Sequence, residues 1–220
     1  MSRAETEQHL RVEIAECARR LWLRGLVTGS SGNLSARMAG GDILVTPSGR
    51  SLERLAASDI VRVDSTGSPY DSAAGPSSEL PLHLAAYRVR PDAVYLVHTH
   101  PTACVTWSLR GRLFPRRTVG AMESLGAVGW VPYAPAGSAE LAAFGAEIFA
   151  RGVDTILMER HGLSALGATL ERAFILTDLA EESARIALGA ALSLPADPCE
   201  QGKPPIGDEG SGMPPHRAIF

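Results

Sequence analysis

The sequence predicts an α/β protein in which layers of helices cover one central sheet. Short apolar runs typical of strands alternate with segments that carry apolar residues at helical spacing. The chain has 220 residues, 45% of them hydrophobic, which suffices for one compact domain. Residues 195–220 differ, because six prolines and four glycines in this stretch disfavour regular structure. We therefore expect a folded domain over 1–194 and an extended or disordered tail over 195–220.

The first part of the chain is predicted to form a helix followed by three strands. Apolar residues at helical spacing indicate a helix from about Glu5 to Arg24. Strand-like runs follow at Leu34–Met38 and Ile43–Thr46, joined by a glycine-containing turn that favours a hairpin. The alternating segment Asp59–Asp64 predicts a third strand.

The second part alternates helices with buried strands. A helix is predicted from Glu79 to Arg90, because Ser77 or Ser78 can cap its N-terminus and a proline lies in its first turn. The later elements are predicted as strands at Ala93–His98 and Thr155–Met158, a helix capped by Ser138, and a helix from about Leu170 to Leu192.

Composition excludes several classes of function. The formal net charge of −3 provides no basic surface for nucleic acid or for an anionic membrane. The sequence shows neither a signal peptide nor an apolar stretch of membrane-spanning length, so we expect a soluble, cytoplasmic protein. The single lysine, Lys203, lies in the tail, which disfavours catalysis through a Schiff base. Three cysteines without a CxxC pair favour neither a disulfide framework nor a thiolate metal site.

Three histidines form the strongest chemical signal. His98 and His100 flank Thr99 at the end of a predicted strand, where the two-residue repeat points both imidazoles to the same side. His161 follows a second predicted strand. Three neutral imidazoles can hold a divalent ion and leave a coordination position open, as catalytic sites require. We therefore predict a metal site formed by these three side chains.

Three turns rich in glycine and serine predict an anion site: Gly29–Asn33, Pro47–Gly49 and Pro76–Ser78. Main-chain N–H groups in such turns bind anions, and serine hydroxyls add donors. Together with the histidines, they favour a phosphorylated substrate. Glu79 follows the third turn, where a helix N-terminus favours the ionised carboxylate. His83, one helical turn later, is expected to support the site or to pack rather than to bind the ion.

Six motifs follow one another along the chain: GSSGNLSAR (Gly29–Arg37), LVTPSGR (Leu44–Arg50), PSSELPLH (Pro76–His83), LVHTHP (Leu96–Pro101), PYAPAGSAEL (Pro132–Leu141) and RHGL (Arg160–Leu163). With these motifs in this order, the chain resembles the class II aldolase/adducin family over residues from about Glu5 to Leu192, and most closely its fuculose-phosphate aldolases.

This resemblance implies a three-layer α/β/α sandwich around a mostly antiparallel sheet, assembled as a homotetramer with active sites between subunits. It makes His98, His100 and His161 ligands of Zn²⁺, or of another divalent transition metal such as Mn²⁺ or Co²⁺. Glu79 becomes the nearby carboxylate that takes part in proton transfer and can complete the metal shell. The residues implied for the substrate phosphate are Gly32, Asn33, Ser48, Gly49, Ser77 and Ser78.

The chain departs from the family pattern at one catalytic position. The fuculose-phosphate aldolases carry a catalytic tyrosine between the HTHP and PYAP motifs, whereas residues 117–123 here contain no tyrosine. Glu123 is the candidate to replace the tyrosine as an acid. In having a glutamate in this region, the chain resembles the related methylthioribulose-phosphate dehydratases. A surface charge is the alternative interpretation of Glu123.

Three functions are compatible with these residues. The first is cleavage of a ketose 1-phosphate, similar to L-fuculose 1-phosphate, to dihydroxyacetone phosphate and an aldehyde through a metal-stabilised enediolate. The second forms the same enediolate by decarboxylation of a 3-oxo-tetronate 4-phosphate, or dehydrates a methylthioribulose 1-phosphate. The third is a non-catalytic, adducin-like interaction module, which the intact set of histidines disfavours. Retro-aldol cleavage is the leading hypothesis.

Overall fold

A seven-stranded sheet lies at the centre of the fold. The computed structural model describes residues 3–70, 74–111, 113–116 and 118–193. The strands are β1 (Asn33–Arg37), β2 (Ile43–Val45), β3 (Val61–Val63), β4 (Tyr95–Thr99), β5 (Val128–Val131), β6 (Thr155–Met158) and β7 (Gly162–Gly167). Their order is β3-β2-β1-β4-β7-β6-β5, and every neighbouring pair is antiparallel except β5 and β6. The predicted, mostly antiparallel sheet is confirmed.

The helices of the described segments are α1 (Arg3–Leu23), α2 (Leu80–Val89), α3 (Thr102–Ser108), α4 (Ala139–Ala150) and α5 (Leu170–Ser193). Helix α4 connects β5 to β6, because two parallel strands need a crossover connection. Short 3₁₀ turns occupy Leu52–Arg54 and Ala57–Asp59, and a π-helical turn occupies Ala121–Leu125. No helix in the described part of the chain has both the length and the apolar character that crossing a bilayer requires.

Helices cover both faces of the sheet. Successive strand residues point to opposite faces, so Leu96 packs with residues of α2 and α4, whereas its neighbour Val97 packs with residues of α1. The pair Ile156 and Leu157 divides in the same way, with Leu157 packed among residues of α3 and α5. The fold is therefore the three-layer α/β/α sandwich that the sequence predicted.

Most predicted elements are present, with different ends. The third strand is shorter than predicted, because a 3₁₀ turn occupies Ala57–Asp59. Helix α2 begins at Leu80, one residue later than predicted, and Glu79 itself is the N-cap residue. The prediction of Ser77 or Ser78 as the N-cap was therefore wrong, although the Ser77 hydroxyl does accept a hydrogen bond from the main-chain N–H of Glu79 (3.2 Å). The predicted tail over 195–220 lies outside the described residues.

Strands β5 and β7 were not predicted. Strand β7 reads GLSALG, and these mostly small residues have low intrinsic preference for strands. The small residues serve close packing, because a Cβ atom at Gly167 would lie 2.5 Å from the carbonyl oxygen of Thr169 and 2.9 Å from the main-chain nitrogen of Ala173. Strand β7 can therefore lie directly against the start of α5 only with glycine at this position.

We expect Gly167→Ala to destabilise the fold by about 1 to 3 kcal/mol, the usual cost of overpacking, because main-chain atoms cannot move aside as a flexible side chain can. The measurement is the free energy of unfolding in a denaturant titration. The matched control is Gly75→Ala, since no atom lies within 4 Å of a Cβ there and its backbone lies outside the left-handed region. Equal stability of the two variants would contradict the packing argument.

Candidate metal centre

Four side chains meet at the end of β4. His98 lies on β4, His100 follows that strand, His161 lies in the turn between β6 and β7, and Glu79 caps α2. One ligand atom from each lies within 4.8 Å of the others. The Nε2 atom of His98 is 2.9 Å from His100 Nε2 and 2.8 Å from Glu79 Oε2, and His161 Nε2 is 3.0 Å from Glu79 Oε1. The structure thus brings together the four residues that the sequence singled out for a metal.

The geometry and chemistry of this cluster fit a divalent cation. Two ligand atoms that bind one ion at about 2.1 Å, at right or tetrahedral angles, lie about 3.0 to 3.4 Å apart. The observed separations of 2.8 to 3.0 Å approach this range. Within the described residues, the buried Glu79 Oε1 accepts no well-aligned hydrogen bond, although His161 Nε2 lies 3.0 Å away. Converging imidazole lone pairs and a carboxylate repel one another unless a cation or protons lie between them, so the cluster could bind a metal ion.

The His98 ring is oriented by its other nitrogen. His98 is fully buried, and its Nδ1 lies 3.1 Å from the carbonyl oxygen of Leu163 and 3.0 Å from Ser164 Oγ. A carbonyl oxygen only accepts hydrogen bonds, so Nδ1 carries the proton and donates it. The lone pair of Nε2 therefore points into the cluster, which is the arrangement that histidine ligands of metals usually adopt.

The turn that carries His161 has an uncommon backbone. Arg160 has φ of 59°, in the left-handed region that residues other than glycine seldom occupy. Its N–H donates to Ser108 Oγ (2.9 Å), which ties the turn to the end of α3. A Cβ atom at Gly162 would lie 2.3 Å from the carbonyl oxygen of Thr99 and 2.9 Å from His100 Cδ2. Glycine therefore allows the His161 turn to lie against the end of β4.

Burial and neighbouring charges set the ionisation of two cluster residues. Burial raises the pKa of Glu79, but His98 and His161, which attract and hydrogen-bond the carboxylate when they are protonated, outweigh it and hold that pKa well below its ordinary value. Burial is the main cause that lowers the pKa of His100 to about 3, and protons on His98 or His161 act in the same direction. The carboxylate is thus ionised and the His100 ring is neutral at pH 7, which are the forms that bind metals.

Glu181 is a supporting residue that the sequence analysis missed. This buried carboxylate on α5 accepts hydrogen bonds from the main-chain N–H groups of Ala103 (3.1 Å) and Cys104 (3.0 Å). It thereby caps α3, which begins two residues after His100 and whose own N-cap residue has no side-chain cap. Glu181 lies between Ala180 and Ala184, which are buried on the same helix. A carboxylate among such small apolar residues was the sequence signal that could have identified it.

A cavity of about 180 Å³ opens beside the cluster. It is lined by Glu79, His100 and His161 and by residues of the three glycine- and serine-rich turns, including Gly32, Asn33, Ser48, Gly49, Ser77 and Ser78. The structure thus gathers all six residues that the sequence proposed for phosphate in one place. No lysine or arginine is among the described residues that line the cavity.

Main-chain donors at this cavity divide into two groups. The N–H groups of Ser48 and Ser77 donate to the carbonyl oxygens of Gly75 and Thr46, both at 3.0 Å. In contrast, no atom of the described segments accepts a hydrogen bond from the N–H groups of Gly32, Gly49 or Ser78. These three donors remain available to a ligand in the cavity.

Two proposed site residues differ in placement from the rest. The Asn33 side chain is buried and bonds to Glu79 and His83 rather than extending into the cavity as a free donor. Glu123 lies exposed on the π-helical turn Ala121–Leu125 and does not line the cavity of its own chain. No structural observation on the single chain decides the role of Glu123.

Comparison with known proteins places this geometry in a family. The chain is 34% identical over 166 residues to an L-fuculose phosphate aldolase of Methanococcus vannielii, covering 76% of this chain and 88% of that protein. It is 35% identical over 167 residues to a 5-methylthioribulose-1-phosphate/5-deoxyribulose-1-phosphate aldolase of Escherichia coli, covering 74% and 77%.

A solved structure is also similar. YgbL from Escherichia coli, described as a proposed aldolase, epimerase or decarboxylase, superposes with a TM-score of 0.77 at 32% identity, over 84% of this chain and 91% of that one. The sequence model of the class II aldolase and adducin N-terminal domain matches residues 12–188. This match and the relatives at 34% and 35% identity show that the chain is an aldolase-type enzyme that belongs to the class II aldolase and adducin family.

Proposed function

We propose that this protein is a metal-dependent lyase that cleaves a ketose 1-phosphate, such as L-fuculose 1-phosphate, into dihydroxyacetone phosphate and an aldehyde. The observation that carries the proposal is one shared cavity. Glu79, His100 and His161 of the four-residue cluster line it together with turns that carry unused N–H groups. A cation bound by the cluster and an anion bound by the turns would be neighbours, as a phosphorylated ketose requires.

We assign the ion to His98, His100, His161 and Glu79, and propose zinc because imidazole and carboxylate ligands both suit it. When bound, the ion supplies a Lewis acid that polarises carbonyl and hydroxyl oxygens of the ketose and offsets the negative charge formed on cleavage. The chain itself keeps His98 Nε2 free for ligation through the Leu163 carbonyl, and fixes the turn of His161 through Ser108.

Glu79 is proposed as the base that moves the proton during cleavage. It is ionised, it lines the cavity, and its Oε1 accepts no well-aligned hydrogen bond from the described part of the chain. In retro-aldol cleavage a base removes the hydroxyl proton, the carbon–carbon bond breaks to release an aldehyde, and the electron pair remains on dihydroxyacetone phosphate as an enediolate. Proton return to that carbon completes the reaction.

The phosphate is proposed to bind the turns. The N–H groups of Gly32, Gly49 and Ser78 are unused, and the hydroxyls of Ser48 and Ser77 lie in the same cavity wall. Gly32 and Gly49 have φ of 78° and 69°, conformations that turn main-chain N–H groups towards an anion. Such a nest binds phosphate without a lysine.

Two related reactions use the same residues. Decarboxylation of a 3-oxo-tetronate 4-phosphate would yield the same enediolate, and a methylthioribulose 1-phosphate could be dehydrated. The Escherichia coli relative is named an aldolase of 5-methylthioribulose 1-phosphate and 5-deoxyribulose 1-phosphate, so these two ketose phosphates are also candidate substrates for aldol cleavage. Product analysis with a panel of these compounds and fuculose 1-phosphate tests the proposal. Release of an aldehyde together with dihydroxyacetone phosphate supports aldol cleavage, whereas release of carbon dioxide with dihydroxyacetone phosphate, or of water with neither, overturns it.

We further propose a homotetramer with active sites between subunits. Large apolar side chains lie exposed along the segment that follows α3, namely Leu109 (65%), Leu113 (87%), Val119 (63%) and Met122 (56%). Exposed apolar patches of this kind favour association. Glu123 lies in the same segment and does not line its own cavity, so we propose that any catalytic role of Glu123 is at a neighbouring subunit's cavity.

We expect His98→Ala, His100→Ala and His161→Ala each to abolish activity and to remove most bound metal, because each variant deletes one of three imidazole ligands. Metal content per chain is measured by elemental analysis after gel filtration. The triple substitution is the decisive case, and stoichiometric metal retained in it would rule out this site.

Replacing Glu79 by glutamine should lower kcat by roughly 10²- to 10⁴-fold, the usual contribution of general acid–base catalysis, because the shape is kept and the basic oxygen is lost. Zinc content should be unchanged, since three histidines remain. The measurement is exchange of the C3 proton of dihydroxyacetone phosphate with solvent deuterium, which isolates the proton transfer. Unchanged exchange in the metal-loaded Glu79→Gln enzyme would show that another group is the base.

Ser48→Glu should raise KM for the phosphorylated substrate roughly 10- to 100-fold, because it replaces a donor with a negative charge beside the phosphate. Stability should change little, since Ser48 is exposed. Ser65→Glu, at an exposed turn outside the cavity, is the matched control and should leave KM unchanged. The phosphate assignment fails if the unphosphorylated sugar is turned over with the same kcat/KM as its phosphate ester.

A further inference from the structure

A chain of buried hydrogen bonds runs from Glu79 into the protein interior. Asn33 Nδ2 donates to Glu79 Oε2 (2.8 Å), and Asn33 Oδ1 lies 2.6 Å from His83 Nε2. His83 Nδ1 lies 2.6 Å from Ser35 Oγ, which lies 2.7 Å from the hydroxyl of Tyr87. All five residues are buried, and His83 and Ser35 are fully so. We call these five residues the Glu79 relay.

Sequence spacing explains why the relay forms. Glu79, His83 and Tyr87 are four residues apart, so they lie on one face at the start and along the length of α2. Asn33 and Ser35 are two residues apart on β1 and point to the same side of the sheet. The relay therefore joins one helix face to one strand, directly behind the metal cluster.

The direction of each hydrogen bond follows from the groups themselves. An ionised carboxylate only accepts, so Asn33 presents its NH₂ group to Glu79 and its carbonyl oxygen to His83. That carbonyl oxygen also only accepts, so His83 carries its proton on Nε2. Full burial lowers the pKa of His83 to about 3, which agrees with a neutral ring. Its Nδ1 then accepts the one proton of the Ser35 hydroxyl, so the Tyr87 hydroxyl can only donate at Ser35, where Oγ (2.7 Å) and the main-chain carbonyl oxygen (3.1 Å) share its proton.

Every donor in the relay therefore points towards Glu79. Hydrogen bonds aligned in one direction polarise and strengthen one another in a buried environment. If the Asn33 amide rotated by half a turn, its oxygen would face the carboxylate and repel it, and its NH₂ group would face the N–H of His83. The His83 proton thus selects the one amide orientation that stabilises Glu79.

We infer that His83 is a positioning residue for Glu79: through Asn33 it fixes the carboxylate by Oε2 and leaves Oε1 as the oxygen that takes the substrate proton. Oε2 accepts from Asn33, whereas Oε1 accepts no well-aligned hydrogen bond from the described residues and lies 3.0 Å from His161 Nε2. The inference rests on the proposed role of Glu79 as the base. In this arrangement the Asn33 side chain orients Glu79 instead of binding phosphate.

The first test reads the His83 proton directly and needs no activity. The full-length protein, with its six histidines isotope-labelled on nitrogen, is examined by long-range proton–nitrogen NMR near neutral pH, with and without zinc. The His83 signals are assigned by their loss in His83→Gln. A neutral ring protonated on Nε2 supports the inference. A ring protonated on Nδ1, or on both nitrogens, overturns it, because the Asn33 amide would then have to face the other way.

The second test separates positioning from bulk stability. His83→Phe fills the space but offers no N–H to Asn33, so exchange of the C3 proton of dihydroxyacetone phosphate should fall about 10- to 100-fold, as for other residues that orient metal-site groups. KM and zinc content should stay the same. His83→Gln places an amide N–H near the lost Nε2–H and should restore most of the exchange. Wild-type exchange in His83→Phe, or equal loss in both variants, overturns the inference.

Two further variants keep the outcomes distinct. Tyr95→Phe removes another buried hydroxyl, which donates to Glu13 (2.9 Å) outside the relay, and should leave exchange unchanged. If Glu79→Gln loses exchange while His83→Phe does not, Glu79 remains the base and only the positioning role fails. If Glu79→Gln keeps full exchange, the proposed function of Glu79 fails, and the NMR result alone then decides the orientation of the relay.

Discussion

Strand β4 lies between β1 and β7, and its register places His98 opposite Asn33 on one side and Ser164 on the other. The sheet is covered on both faces, so a shift of β4 by one residue would exchange its buried side chains between the two helical layers. It would also separate His98 from the Leu163 carbonyl and from Glu79. The metal cluster, the relay behind it and the cavity in front of it all depend on this pairing.

The site combines groups that would be costly to bury separately. A buried carboxylate loses hydration, and imidazole lone pairs that face one another lack donors. Glu79 is compensated by Asn33 on one oxygen and by the histidines around it. Such a cluster gains most from a cation at its centre, which links metal binding to the stability of the strand ends that carry it. Glu181, which caps α3, secures one of those ends from α5.

The proposed phosphate site relies on main-chain groups, because no lysine or arginine is among the described residues that line the cavity. The turns donate some N–H groups to one another, as Ser48 does to Gly75, and leave others free. Because these donors are fixed by the backbone, they need little ordering when a ligand binds, and they leave the positive charge of the site to the metal. An ion and a nest at one cavity, as proposed, would hold different parts of a small sugar phosphate.

The sequence by itself determined the class of fold and the chemistry of the site. Strand and helix periodicity predicted the layers, and the spacing of His98, His100 and His161 indicated a metal, because both signals are local or depend on residue type alone. It did not reveal β7, whose small residues are buried as a strand only because β4, β6 and α5 pack closely around it. It also could not determine the first residue of α2, since the hydroxyl of Ser77 and the N-cap conformation of Glu79 depend on the turn before them. Only the tertiary structure decided that Asn33 turns its side chain to Glu79 and that Glu123 lies away from its own cavity, because those outcomes depend on contacts between residues far apart in the chain.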